Sequence, residues 1–246
     1  MTGGARLRAL AGVVTRLGSG QPRPRDLPAE PGVAPSVSER LVPTRAIGIL
    51  VDVLRGRQAP VVLDLGRVVG GNVGFLTSEF GCRLVVADLF ADLDVRAAGG
   101  ERSGDDDGAW VAARLGQDAE SVDAVLCWDT LEYLTATESR VLASRLTRLL
   151  RPHGVLVLGF SNEWRVESGH ATYEIVDRET LRRQFHPGPS RQSRVLTGRE
   201  AMETFRELAV VDTFLLATRA YEMLFRKPSH SMNNRRTTAS PVRREV

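Results

Sequence analysis

Cysteine and lysine are scarce in this chain of 246 residues. The two cysteines, Cys82 and Cys127, adjoin apolar runs, and neither belongs to a CxxC pair or to a Cys/His cluster with the spacing of metal ligands. We therefore predict two buried free thiols, no metal site and a reducing, cytoplasmic location. Lys227 is the single lysine, so arginine supplies almost all of the positive charge, which indicates a compositional bias rather than selection for phosphate contacts.

Long hydrophobic runs are also missing. No stretch reaches the roughly 18 consecutive apolar residues that a membrane-spanning helix needs, because Arg, Asp or Gly interrupts every apolar run. The basic N-terminal region has an apolar stretch at residues 10–14, which is too short for a targeting or membrane-surface segment. We therefore predict a soluble protein without a membrane span.

The excess of positive charge is small and lies at the two ends of the chain. The sequence has 33 basic and 30 acidic residues and a net charge of +3. Residues 1–40 and 229–246 together carry about +6, which leaves about −3 on the residues between them. Since a basic patch is the usual mark of nucleic-acid binding, we do not expect nucleic acid as a partner of the central region.

The domain organisation follows from composition. Residues 18–35 are rich in Pro, Gly and Ser without a hydrophobic period, and the residues from 229 onward are rich in Ser, Asn, Thr and Arg. We predict a disordered basic arm at residues 1–37, one domain at residues 38–228 and a disordered tail at residues 229–246.

Short apolar segments alternate with segments of helical periodicity through the central region, which indicates βαβ units and a parallel sheet. We predict an acid-rich surface loop after Asp88 and an irregular region after residue 160 that contains one helix. The predicted fold class is α/β, a doubly wound, mostly parallel Rossmann-like sheet in three layers with an antiparallel edge strand. The predicted strands are residues 61–66, 83–87, 122–128, 155–160, 208–216 and 221–225, of which the last two form a hairpin at the sheet edge. The predicted helices are residues 46–54, 135–150, 177–185 and one that begins near residue 72, and the helix at residues 135–150 begins with a capping box of Thr135 and Glu138.

Ligands of open parallel sheets bind at the carboxyl ends of the strands, where a glycine turn lets the backbone approach them. Residues 64–72 form such a turn after the first strand, and the helix that follows directs its unpaired N–H groups toward an anionic part of a ligand. Asp88 ends the second strand and can accept hydrogen bonds from ribose hydroxyls. These features suit NAD and S-adenosylmethionine equally.

Several landmarks occur in a fixed order along the chain. The first landmark is the segment at residues 62–66 with Gly70, and the second is the strand that ends in Asp88. The third is the strand at residues 123–126 that leads to residues 131–134. The fourth is the segment at residues 149–158, in which a helix ends in Leu-Arg-Pro-x-Gly before an apolar strand. In this order they resemble the class I S-adenosylmethionine-dependent methyltransferases over residues 45–228. The resemblance implies that S-adenosylmethionine is the cofactor and that the strand at residues 221–228 is antiparallel at the sheet edge.

The resemblance also implies positions for the cofactor. It assigns Asp64, Gly66 and Gly70 to the cofactor turn and Asp88 to the ribose. It puts Trp128 and Asp129 near the methionine part and the substrate mouth. The catalytic residue stays unassigned, although Asp129, His170, Tyr173 or His186 could serve as a general base. Each of these side chains can also have a purely structural role.

Three functions remain open from the sequence. The first is a methyltransferase that acts on a small-molecule or metabolite acceptor. The second is a catalytically inactive, methyltransferase-like binding or assembly protein, because Val68 stands where the family commonly has the middle glycine of the turn, and its side chain could narrow the pocket. The third is a nicotinamide-dependent oxidoreductase, which the missing GxGxxG turn disfavours.

Overall fold

The computed structural model describes residues 38–99, 108–161 and 163–229. The predicted arm at residues 1–37 and all but the first residue of the predicted tail lie outside these ranges. Of the helices within them, none combines the length and the apolar composition needed to cross a bilayer. Cys82 and Cys127 are buried free thiols, as predicted.

The main sheet has six strands in the order β3-β2-β4-β5-β9-β8. The first four strands in this order are parallel, and β9 is antiparallel to both β5 and β8. The hairpin predicted near the sheet edge is confirmed. The strand at residues 221–228 was expected at the edge itself and this is wrong, because β9 lies between β5 and β8 and the edge strand is β8. The strands are β2 (Val61–Asp64), β3 (Arg83–Val86), β4 (Val122–Trp128), β5 (Leu150–Ser161), β8 (Ala209–Leu215) and β9 (Ala220–Arg226).

Two hydrophobic cores cover the two faces of this sheet. Successive residues of β4 alternate between them, so that Val125 and Cys127 face one core while Ala124 and Leu126 face the other. The first core contains residues of α3 to α6, and the second contains residues of α1 and α2, which gives the three predicted layers. The helices are α1 (Ala46–Arg55), α2 (Gly70–Phe80), α3 (Leu89–Gly99), α4 (Ala109–Arg114), α5 (Ala136–Leu149) and α6 (Gly198–Thr204).

The capping box predicted for the helix after β4 is present. The side chain of Thr135 accepts a hydrogen bond from the N–H of Glu138 at 3.2 Å, and the Glu138 carboxylate accepts one from the N–H of Thr135 at 2.7 Å. These two bonds satisfy backbone donors that the first turn of α5 would otherwise leave unpaired. They determine the residue at which α5 begins after the carboxyl end of β4.

A second, three-stranded antiparallel sheet has the order β1-β7-β6, with β1 (Ser38–Pro43), β6 (Gly169–Ile175) and β7 (Thr180–Pro187). The helix predicted at residues 177–185 is therefore wrong. Leu181 and Phe185 are buried and four residues apart, a spacing that suits one face of a helix but also one face of a strand. Residues 180–187 form a strand because they pair with β1 and β6, and the local sequence contains no sign of this pairing.

The surface loop predicted directly after Asp88 is also wrong, because α3 begins at Leu89. Leu89, Phe90 and Leu93 are buried on one face of this helix, and Oδ1 of Asp88 accepts a hydrogen bond from the N–H of Ala91 at 3.1 Å. The acidic residues 105–107 lie outside the described ranges. Helices α4 and α6 and strands β1 and β6 were likewise not predicted, and β5 begins at Leu150, the last residue of the predicted helix, rather than at residue 155.

Candidate functional site at the strand ends

All six residues assigned to the cofactor lie at one edge of the main sheet. Asp64 and Trp128 are the last residues of β2 and β4, Asp129 follows β4, and Gly70 is the first residue of α2. Gly66 lies in the turn between β2 and α2, and Asp88 follows β3. Because β2, β3 and β4 are adjacent and parallel, their carboxyl ends meet at this edge.

Asp64 holds the turn together. Its Oδ1 accepts hydrogen bonds from the N–H of Gly66 at 2.9 Å and from Nε1 of Trp128 at 2.7 Å. Burial raises the pKa of the Asp64 carboxyl to about 6, although both donors oppose the shift. A Cβ at Gly66 would lie 2.9 Å from Cδ1 of Trp128, so this position requires glycine.

The start of α2 packs against β6. A Cβ at Gly71 would collide with the side chain of Glu174, whereas a Cβ at Gly70 would meet nothing within 4 Å. A side chain at Gly70 would therefore be accommodated, whereas one at Gly71 would require the Glu174 side chain to move. Asn72 fastens the two elements, because its Nδ2 donates to the carbonyl oxygen of Tyr173 at 2.8 Å and its Oδ1 accepts from the N–H of Ile175 at 2.7 Å.

Two residues at this edge have strained backbones. Asp88 has a φ of 44° and Trp128 a φ of 45°, in the left-handed region, which Asp adopts more readily than a bulky residue such as Trp. Ala59, Glu120, His153 and Arg219 also have a positive φ. Such conformations persist only where the surrounding structure enforces them, and they concentrate at functional sites. Here Asp88 follows β3 and Trp128 ends β4, the two parallel strands on either side of β2.

Strand β6 covers the strand ends. The ring of Tyr173 stacks on Trp128 with 5.3 Å between centroids and an interplanar angle of 9°. The Tyr173 hydroxyl donates to Oδ2 of Asp129 at 3.0 Å. Val68, the residue that replaces the middle glycine, is 66% exposed, so the indole of Trp128 and not Val68 fills the space over Gly66.

A buried ionic cluster surrounds Asp129. Nη1 of Arg165 donates to Oδ2 of Asp129 at 2.9 Å and to the hydroxyl of Tyr133 at 2.8 Å, and its Nη2 lies 3.0 Å from Oε2 of Glu132. Burial raises the pKa of Glu132 to about 8, although the charge of Arg165 opposes the shift. Arg165 was not predicted, because it lies in an irregular segment between β5 and β6 with no local pattern to mark it.

We compared the chain with known proteins. No protein-family model and no curated protein matches it. Similar solved structures include a 1,6-didemethyltoxoflavin-N1-methyltransferase from Burkholderia thailandensis with bound S-adenosylhomocysteine, at 21% identity, 75% coverage of this chain, 78% of that chain and a TM-score of 0.46. Another is the N-methyltransferase NodS from Bradyrhizobium japonicum, which is 18% identical over 75% of this chain and 95% of that chain, with a TM-score of 0.43. A third is the [4+2]-cyclase SpnF, which is 13% identical over 74% of this chain and 80% of that chain, with a TM-score of 0.44.

Two of these three structures are methyltransferases, the family that the sequence resembles, and one is described as a cyclase. At these identities and TM-scores the comparisons assign no activity to the chain. The fold class follows from its own sheet order and strand directions. The protein is a doubly wound, mostly parallel, Rossmann-like α/β protein with an antiparallel hairpin and a second sheet over its strand ends.

Proposed function

We propose that this protein is an S-adenosylmethionine-dependent methyltransferase that acts on a small-molecule acceptor. The observation that carries the proposal is the meeting of the glycine turn, Asp88 and Asp129 at the carboxyl ends of three adjacent parallel strands. Ligands of open α/β sheets bind at this edge. The positive φ of Trp128 at the same edge, which is unusual for an aromatic residue, adds support.

The residues at this edge fit a nucleoside cofactor with an anionic group. Buried polar atoms at this edge without a hydrogen-bond partner among the described residues include Oδ1 of Asp129 and Oγ1 of Thr130, which remain available to a ligand bound beside the cofactor. Asp88 would accept hydrogen bonds from the ribose hydroxyls. The first turn of α2, which has no side-chain cap, would face the carboxylate of the methionine part.

When bound, S-adenosylmethionine supplies an electrophilic methyl group. The chain's contribution is to hold the reactants in line and exclude water, and positioning of this kind accelerates a direct displacement without a fixed catalytic dyad. Trp128 and Tyr173 would form the wall that excludes water. Because they stack over the turn, β6 must separate from Trp128 for a ligand to reach it.

A second candidate is a methyltransferase-like binding protein without catalysis. It is favoured by the polar groups of the turn, because Asp64 and Asn72 already bind protein groups. The indole of Trp128 also lies against Gly66, where a cofactor would need close approach to the backbone. Binding of S-adenosylhomocysteine separates the two candidates, since the second predicts none at this edge.

The test is the affinity for S-adenosylhomocysteine of two variants at Asp88, measured by titration calorimetry. Asp88→Ala removes the carboxylate, so we expect it to abolish binding while the circular dichroism spectrum stays intact. Asp88→Asn is the matched control, because Asn tolerates a positive φ and can keep the bond to the N–H of Ala91. We expect it to keep the fold and to bind more weakly than the wild type. Unchanged affinity in Asp88→Ala would contradict the ribose role of Asp88.

A further inference from the structure

Unpartnered buried polar atoms concentrate between the end of β4 and the start of β6. Among the described residues, nine buried side-chain polar atoms lack a hydrogen-bond partner, and four of them belong to Asp129, Thr130 and His170. Both ring nitrogens of His170 are in this group. Native structures leave few such atoms unpaired, so these atoms need a partner such as water or a polar ligand.

His170 is held firmly while its nitrogens remain free. Its ring stacks on Phe90 with 5.0 Å between centroids and on His186 with 5.6 Å between centroids. Phe90 in turn packs edge-on against Tyr133, whose hydroxyl binds Arg165. Since the neighbouring rings occupy the faces of the imidazole, a ligand can approach only its edge, where the two nitrogens lie.

The charges around His170 come from the predicted site. Burial lowers the pKa of His170, and Arg67 of the glycine turn and His186 lower it further, whereas the carboxylates of Asp94 and Asp129 oppose the shift. The imidazole is therefore neutral at pH 7, with one nitrogen able to accept a proton. His170 on β6 is thus close to Arg67 of the turn after β2, to Phe90 at the start of α3 and to Asp129 at the end of β4.

We propose that His170, Asp129 and Thr130 form the acceptor end of the site, and that the acceptor is a small aromatic compound that carries a hydroxyl group. Oδ1 of Asp129 and one nitrogen of His170 are acceptors that lack donors, which hydroxyl groups supply. The aromatic side chains around them, Phe90, Tyr133 and Tyr173, favour a planar ring. This inference rests on the proposed function.

His170 is the general base in this arrangement. It takes the hydroxyl proton while the acceptor oxygen forms its bond to the methyl carbon, and the electron pair of the broken carbon–sulfur bond stays on sulfur. The atoms involved are buried, so the acceptor enters when β6 separates from Trp128. The same movement opens the glycine turn, so one opening admits both ligands.

Catechol is the probe, because it has a planar aromatic ring and two hydroxyl donors, one for each of the unpartnered acceptors of His170 and Asp129. Its binding is followed through the imidazole NMR signals of the full chain, with and without S-adenosylhomocysteine. We expect a saturable shift of the His170 signal and a loss of catechol affinity of about ten-fold or more in His170→Asn. The affinity for S-adenosylhomocysteine should stay within about two-fold.

His153→Asn is the control, because His153 is exposed at the start of β5 and has a φ of 62°, which Asn tolerates. It should bind catechol as the wild type does. No shift of the His170 signal, or equal catechol affinity in His170→Asn and the wild type, would overturn the acceptor site. A shift of the His170 signal in a protein that does not bind S-adenosylhomocysteine would contradict the proposed function and leave the acceptor site standing.

Discussion

Asp64 and Asp123 are buried aspartates near the two ends of the same sheet, and their environments act in opposite directions. Burial raises the pKa of Asp64 to about 6. Burial also tends to raise the pKa of Asp123, but hydrogen bonds from the N–H of Val61 and from Arg151 and Arg57 outweigh it and lower that pKa. The carboxylate at the candidate site is therefore the one whose charge disfavours folding.

Asp64→Asn should change how stability depends on pH. Because the folded-state pKa of Asp64 is raised, its contribution to stability is complete below about pH 4 and is lost as the pH rises through about 6. Asn cannot ionise, and its Oδ1 can keep both hydrogen bonds. Relative to the wild type, the variant should gain about 2 to 3 kcal/mol between pH 4 and pH 8 in urea unfolding.

Asp123→Asn is the control with the opposite sign. The lowered pKa of Asp123 stabilises the folded state above the unfolded value, and this stability is lost as the pH falls through the folded-state pKa. This variant should therefore lose more stability at pH 8 than at pH 4, relative to the wild type. The same pH dependence in both variants would contradict the assignment of the two environments.

The side chain of Asn72 in α2 makes two hydrogen bonds to the backbone of strand β6. Asn72 accepts from the N–H of Ile175 and donates to the carbonyl of Tyr173, so Asn72→Ala leaves both backbone groups unpaired. We expect a loss of about 2 kcal/mol and faster hydrogen exchange of the Ile175 amide. Thr135→Ala should cost about 1 kcal/mol through the lost α5 cap without changing exchange at Ile175. Unchanged exchange at Ile175 in Asn72→Ala would show that other contacts hold β6.

The sequence predicts elements whose signals are local. The strand at residues 122–128 and the capping box of α5 are found because apolar runs and cap residues are short-range patterns. The second sheet is not found, because β6 depends on pairing with β7 and on Asn72, about 100 residues earlier in the chain. Leu181 and Phe185 suit a helix as well as a strand, and only the pairing distinguishes them.

At the scale of the whole molecule, the site joins residues that are distant in sequence. The strand-end positions Asp64, Asp88 and Asp129 follow from the βα alternation, because parallel strands bring their carboxyl ends together. Arg165 and Tyr173 contact Asp129 from segments 36 and 44 residues away, and no spacing rule predicts such contacts. The meeting of these strand-end residues could thus be predicted from sequence, whereas strand β6 above them and the ionic cluster around Asp129 needed the structure.

The most direct test of the central claim is thermal unfolding of the full chain with and without S-adenosylhomocysteine, with NADH as the control ligand. A ligand at about 100 times its dissociation constant stabilises the folded state by about 2.7 kcal/mol, which corresponds to roughly 5 to 11 °C for a domain of this size. We predict a shift of this order with S-adenosylhomocysteine and none with NADH. No shift at millimolar S-adenosylhomocysteine, or an equal shift with NADH, would contradict the claim that this edge binds an adenosyl cofactor of methyl transfer.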